Sequence, residues 1–166
     1  VYLETEDSQV SPETMQRIGQ KLTALNQHLA DQGVAAHEGS STVKQIEYLV
    51  SRTRGWKRVA EIGFNAGVSA LTMLEANPAL ELISFDLGKW PTVGISGAYL
   101  KAQYGDRFKL ILGDSQETLP AFYPGMAPFD FVFVDGGHDY EVAFSDLLNV
   151  APYSKIVVVD DLNSHL

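Results

Sequence analysis

Five short apolar runs in this chain end in or beside a carboxylate. Glu61 stands in RVAEIG, Asp86 closes LISFD, Asp114 closes FKLILGD, Asp135 closes FDFVFVD, and Asp160 with Asp161 closes KIVVVDD. Acids gathered on one edge of a sheet can accept hydrogen bonds from a ligand's hydroxyls and amines, or hold a hard cation. One such Asp often does no more than cap the helix that follows it. One at every strand end calls for a shared site. Glu61, Gly63 and Gly67 also form an acid-x-Gly-x-x-x-Gly turn, and Val68, Leu71 and Leu74 begin an apolar stripe behind it. Glycine lets backbone approach a ligand, and a helix that starts there presents free N–H groups. The plain alternative is a strand-to-helix turn that needs glycine for steric reasons alone. The dinucleotide pattern G-x-G-x-x-G is absent.

Chemistry can be assigned position by position. Asp86 follows Gly63 by 23 residues, the place of an acid that accepts from both ribose hydroxyls. Asp114, Ser115 and Gln116 could read the edge of an adenine ring. Ser69, in the first turn after Gly67, could bind a carboxylate together with helix N–H groups, or simply face solvent. Ribose, adenine and carboxylate acceptors together describe S-adenosylmethionine better than a dinucleotide, whose pyrophosphate seat is missing.

These residues need a scaffold. The apolar runs are rich in Val, Ile, Leu and Phe, as strands covered on both faces are, and they alternate with helical stripes. Expected strands begin at Arg58, then cover 82–86, 108–114, 129–135 and 155–161, with helices over 67–76 and 94–104, a short one in SQETLPAFY, and one carrying Phe144, Leu147, Leu148 and Ala151. Leu87–Thr92 reads as a loop long enough for part of a lid. That alternation means an α/β class, a doubly wound and mostly parallel sheet. Upstream, Ser11-Pro12-Glu13 starts a helix with Met15, Ile18, Leu22, Leu25 and Leu29 on one stripe, ending near Gly33. Ser41 or Thr42 can cap a second helix. We divide the chain into an N-terminal helical segment, 1–55, serving as a cap or oligomerisation arm, and a ligand-binding α/β domain, 56–166.

The totals narrow the partners. The chain has 166 residues and a net charge of -9, from 12 basic and 21 acidic residues. That charge repels nucleic acid and anionic membranes and disfavours a polyanionic substrate. No apolar run approaches the roughly 20 residues of a membrane span. The chain has no Cys, and its N-terminus VYLETEDSQV is acidic rather than a signal peptide, which fits the cytoplasm. It starts without Met, as a fragment or processed product does.

EIGFNAGVSAL, SFD, GDSQETLP, FDFVFVDGGHDY and IVVVDD, in that order and spacing, resemble the class I S-adenosylmethionine-dependent O-methyltransferases. Within them the similarity is to the catechol and caffeoyl-coenzyme A O-methyltransferase group, over roughly residues 39–163. The resemblance implies a Rossmann-like methyltransferase fold with strand order 3-2-1-4-5. It implies that Glu61, Gly63, Asn65 and Gly67 line the cofactor's methionine part, with Ser69 on its carboxylate, Asp86 on its ribose, and Asp114, Ser115 and Gln116 at its adenine. It implies a divalent cation (Mg²⁺, Mn²⁺ or Ca²⁺) on Asp135, Asp160 and Asp161, where the group has Asp, then Asp-Asn. His138 falls where catechol-type enzymes place a lysine base, so His138 and Asp135 are the catalytic candidates. His138 and Asp139 could instead cap the next helix, and Gly136 and Gly137 depart from the bulkier residues usual there.

Class I enzymes continue past the fifth strand into a further helix and two more strands, which the given chain lacks. The resemblance therefore implies a longer protein, or a fifth-strand edge covered by a partner chain. The expected activity is methyl transfer to an oxygen of a small molecule, assisted by a cation. A homo-oligomer could form through the N-terminal helix or the fifth-strand edge. Other readings stay open: a cephalosporin-hydroxylase-like relative that uses the metal differently, a non-catalytic cofactor-binding module, and a dinucleotide-dependent oxidoreductase.

Overall fold

A computed structural model describes residues 10–35, 42–123, 127–137 and 140–160. Two helices, α1 (Pro12–Asp31) and α2 (Val43–Thr53), precede an alternating series. It runs β1 (Arg58–Ile62), α3 (Val68–Ala76), β2 (Glu81–Asp86), α4 (Pro91–Tyr104), β3 (Phe108–Leu112), α5 (Ser115–Phe122), β4 (Phe129–Val134), α6 (Tyr140–Val150) and β5 (Ser154–Val159). The five strands form one sheet of order β3-β2-β1-β4-β5, and every pair in it is parallel. Order and direction are those expected.

Side chains alternate between two cores because strand residues point to opposite faces. One core joins Val59, Phe131 and Phe133 of the sheet to Leu71 and Leu74 of α3, Leu100 of α4, Leu25 of α1 and Leu49 of α2. The other joins Ala60, Ile62, Val132 and Val134 to Leu119 of α5 and Val150 of α6. The N-terminal helices thus share a core with the sheet. Arg17 on α1 also donates to the Glu75 side chain at 3.1 Å and to the Glu75 carbonyl at 2.9 Å.

Several boundaries move for local reasons. Ser11 caps α1, accepting from the Thr14 N–H. Thr42, not Ser41, lies within the described residues and caps α2 in a capping box with Gln45. Pro91 occupies the first turn of α4, so the helix starts three residues before the expected 94 and the loop after Asp86 is shorter. β3 stops at Leu112, two residues before Asp114. On the far side, α6 leaves Tyr140, Phe144 and Leu148 exposed on one stripe, and Ile156 is exposed on the edge strand β5. No helix of the described residues is long and apolar enough to cross a membrane.

Candidate functional site

The carboxyl ends of parallel strands form one rim, and the order of the sheet fixes its layout. From one side to the other it carries Asp114, Asp86, Gly63, Asp135 and Asp160. Neighbouring strands lie about 4.8 Å apart, so Asp114 and Asp160 are roughly 19 Å from each other and cannot serve the same small group. The rim is stitched by backbone hydrogen bonds beyond the strand ends: Gly113 N–H to Asp86 O at 2.9 Å, Gly63 to Phe85 at 2.8 Å, Asp135 to Ile62 at 2.8 Å, and Asp160 to Val134 at 2.9 Å. Its side chains therefore stand on fixed backbone.

At the centre of the rim, the turn from β1 to α3 needs its glycines. Gly63 has φ +95, and a Cβ there would lie 2.6 Å from the Asp135 carbonyl carbon and 2.7 Å from Gly136 Cα. Gly67 has φ +79, and a Cβ there would meet Phe64 at 2.8 Å. Asn65, between them, is the one non-glycine residue with positive φ among those described, at 45. Asn and Asp tolerate this region best. Gly67 is the N-cap of α3 and supplies no side chain, so the first turn of the helix has no side-chain acceptor for its N–H groups.

Asp86 holds this turn in place. Its Oδ2 accepts the Phe64 and Asn65 N–H groups, each at 2.9 Å, and its Oδ1 accepts Gly88 N–H at 2.7 Å. A carboxylate accepts at about four sites, so Asp86 retains lone-pair capacity toward the rim. Asp114 caps α5, accepting the Gln116 N–H at 2.9 Å, while Ser115 and Gln116 form the first turn of that helix.

Glu61 is not on the rim surface. It is fully buried, and it accepts from the Ser69 hydroxyl on one oxygen and from the Ser84 hydroxyl at 2.7 Å on the other. Burial pushes its carboxyl up to about 8. The two hydroxyls oppose that rise, and the charges of Asp135 and Asp86 add to it. Ser69 is 6% exposed, whereas Glu61 and Ser84 have no exposed surface.

On the other half, Asp135 and Asp160 end neighbouring strands one step beyond the paired Val134 and Val159. Asp160 accepts from the Gln45 side-chain amide, whose oxygen accepts Thr42 N–H at 2.6 Å. The amide is thus oriented at both ends. Beside it lies a cavity of about 240 Å³ between α2 and the ends of β4 and β5, walled by Lys44, Tyr48, Leu49, Phe133 and Val158. No group of three His, Asp or Glu among the described residues could hold a metal ion. Asp161 and His138 lie outside the described residues.

Sequence reasoning overlooked Ser84, Gln45, Tyr48 and the cavity. Ser84 sits inside an apolar strand run, and only the strand pairing sets it opposite Glu61. For Gln45 there was a local signal, the Thr42-x-x-Gln45 spacing of a capping box.

A family model described as a methyltransferase domain matches residues 60–162, more than half of the chain. Among solved structures, the chain is similar to an O-methyltransferase from Bacillus cereus determined with SAH, at 16% identity and a TM-score of 0.66, covering 90% of this chain and 66% of that one. It is similar to the O-methyltransferase TomG from Streptomyces achromogenes, determined with SAM, at 22% identity and a TM-score of 0.64, covering 92% and 66%. It is also similar to the SAH-bound methyltransferase PaMTH1 from Podospora anserina, at 25% identity and a TM-score of 0.63, covering 92% and 63%. The chain thus spans about two thirds of the length of these structures. No curated protein matches its sequence.

Proposed function

The chain belongs to the methyltransferase-domain family, and from that premise we propose that it binds S-adenosylmethionine across the Gly63–Gly67 turn and transfers the methyl group to an oxygen of a small acceptor. The observation that carries this reading is the α3 N-terminus. It lacks a side-chain cap, has Ser69 in its first turn, and follows a turn held in shape by the Asp86 carboxylate. An unsatisfied helix start attracts an anion, here the carboxylate of the cofactor's amino acid. Asp86 has about one accepting site left for a ribose hydroxyl, and Ser115 and Gln116, in the first turn of α5 beyond the neighbouring strand, are our candidates for adenine.

The acceptor then belongs on the other half of the rim, beside Asp135 and Asp160. The cavity of about 240 Å³ there is smaller than the roughly 300–1,000 Å³ that holds drug-sized ligands. Its walls favour a small, largely apolar acceptor, held with its oxygen toward the sulfonium methyl for in-line attack. Asp135 and Asp160 supply the oxygen donors that a hard cation prefers, and Asp161 would join them. A cation held there would lower the pKa of an acceptor hydroxyl. His138 is our candidate to take the acceptor's proton, because an imidazole titrates near neutral pH.

Calorimetry with S-adenosylhomocysteine and with NAD tests the cofactor. We expect micromolar binding of the first and none of the second, and Asp86→Ala should weaken the first at least tenfold. Binding of NAD alone would overturn the reading. The cation and base are tested by turnover with and without EDTA and in His138→Ala. Unchanged rates would remove those two roles and leave the cofactor site standing.

A further inference from the structure

We infer that Glu61 is a positioning residue acting through Ser69: its sealed carboxyl must carry a proton before the Ser69 hydroxyl can donate to the cofactor's carboxylate, so cofactor binding and protonation of Glu61 are coupled. This rests on the cofactor reading above.

Ser69 has a single O–H, and while Glu61 is ionised that O–H is taken up by the Glu61 oxygen beside it. Glu61 has no exposed surface, and among the described residues its hydrogen-bond partners are the Ser69 and Ser84 hydroxyls. An ionised carboxylate only accepts. If the ligand's carboxylate arrives while Glu61 is ionised, two anions compete for one serine proton, and the loser faces a lone pair. If Glu61 takes a proton from solvent, its O–H donates to Ser69 Oγ, and the Ser69 hydroxyl turns outward to the ligand. Ser84 still donates to the second Glu61 oxygen at 2.7 Å. Every polar atom then has a partner, at the cost of one proton taken up.

The surroundings make that proton easy to acquire. Ser69 is the group that faces Glu61 from α3, Ser84 and Asp86 face it from β2, and Asp135 bears on it from the end of β4. Both charged members are anionic and disfavour a third negative charge. With the carboxyl pushed up to about 8, Glu61 is mostly protonated at neutral pH and ionises just above it.

The experiment is calorimetry of the whole chain with S-adenosylhomocysteine in EDTA, in buffers of different ionisation enthalpy. At pH 8 the heats should differ between phosphate and Tris by the uptake of about half a proton per site. Affinity should weaken about tenfold between pH 8 and 9.5. In Glu61→Gln the side-chain amide donates to Ser69 at every pH. The buffer dependence should vanish there, apart from any part due to the ligand's own amine. Buffer-independent heats and a flat affinity profile in the wild type would overturn the coupling while leaving the cofactor site intact. So would the same uptake in Glu61→Gln. Absence of binding at every pH would remove the cofactor reading and this inference with it.

Discussion

The turn after β1 makes a quantitative claim about one methyl group. Gly63→Ala adds a Cβ 2.6 Å from the Asp135 carbonyl carbon, 2.7 Å from Gly136 Cα, and closer still to the Asp135 oxygen. All three are backbone atoms, and none can rotate away. Ordinary contact requires the ends of β1 and β4 to part by about 1 Å, which strains the overpacked site by about 1–3 kcal/mol. Parting them also endangers the bonds from Gly63 N–H to Phe85 O and from Asp135 N–H to Ile62 O, both 2.8 Å. Each contributes about 1 kcal/mol. Positive φ adds about 1–2 kcal/mol for any residue with a Cβ. Gly33 isolates that last contribution, because it has φ +72 and nothing lies within 4 Å of the place its Cβ would take. Gly33→Ala should therefore cost about 1 kcal/mol and Gly63→Ala about 3–5 kcal/mol. With a urea m-value of about 2 kcal/mol/M, the two midpoints should differ by about 1–2 M. Equal midpoints within about 0.25 M would refute the claim that the strand ends are in contact through Gly63.

Two further outcomes follow from hydrogen bonds far from the rim. Asn77 is 7% exposed and donates to the carbonyls of Thr53 at 2.9 Å and Trp56 at 2.7 Å, tying the end of α2 to the end of α3. Asn77→Asp should cost about 2–4 kcal/mol at pH 7 by urea unfolding. It should cost less at pH 4, where a protonated acid can donate again; an equal cost at both would exclude the donor role. Asp130 accepts from Lys155 at 2.6 Å and from the Arg58 and Lys57 N–H groups, which together hold it down to about 2. A depressed acid stabilises the fold above its unfolded pKa, and that stability is lost as pH falls from about 4 to about 2. Asp130→Asn should flatten acid unfolding in that window, and an unchanged slope would show that the three donors do not act on Asp130.

The alternation of apolar runs with helical stripes was enough for the architecture, because a strand buried on both faces leaves no other reading of VAEI or FVFV. Strand order came from the resemblance rather than from periodicity, and β3-β2-β1-β4-β5 agrees with it. Boundaries were less legible where one residue decided them. Pro91 starts α4 because its fixed φ suits a first helical turn, so a stretch that looks like a loop by composition ends in the first turn of a helix. Contacts between distant residues were not legible at all. Gln45 and Asp160 are 115 positions apart, and their hydrogen bond exists because α2 lies over the end of β5. Glu61 was misplaced for a related reason. It reads as a rim acid by its motif, but the strand pairing turns it toward Ser84 and inward.

That inward turn bears on how an acidic rim can be stable. A row of free carboxylates one strand spacing apart would repel strongly enough to raise their pKa values or open the sheet. The protein meets this differently on its two halves. At the β3–β2 end, Asp86 faces three backbone N–H groups and Asp114 a helix start. Both charges are thereby held by dipoles that a ligand need not displace. At the centre, Glu61 is buried beside two hydroxyls, where the neutral acid is the favoured form at neutral pH. At the β4–β5 end, Asp160 accepts from the neutral Gln45 amide and stands beside Asp135 in the adjoining strand. Backbone N–H groups hold the first half without any added ligand. The second half sets Asp135 and Asp160 on adjoining strand ends, with the Gln45 amide, oriented by Thr42, among the partners of Asp160.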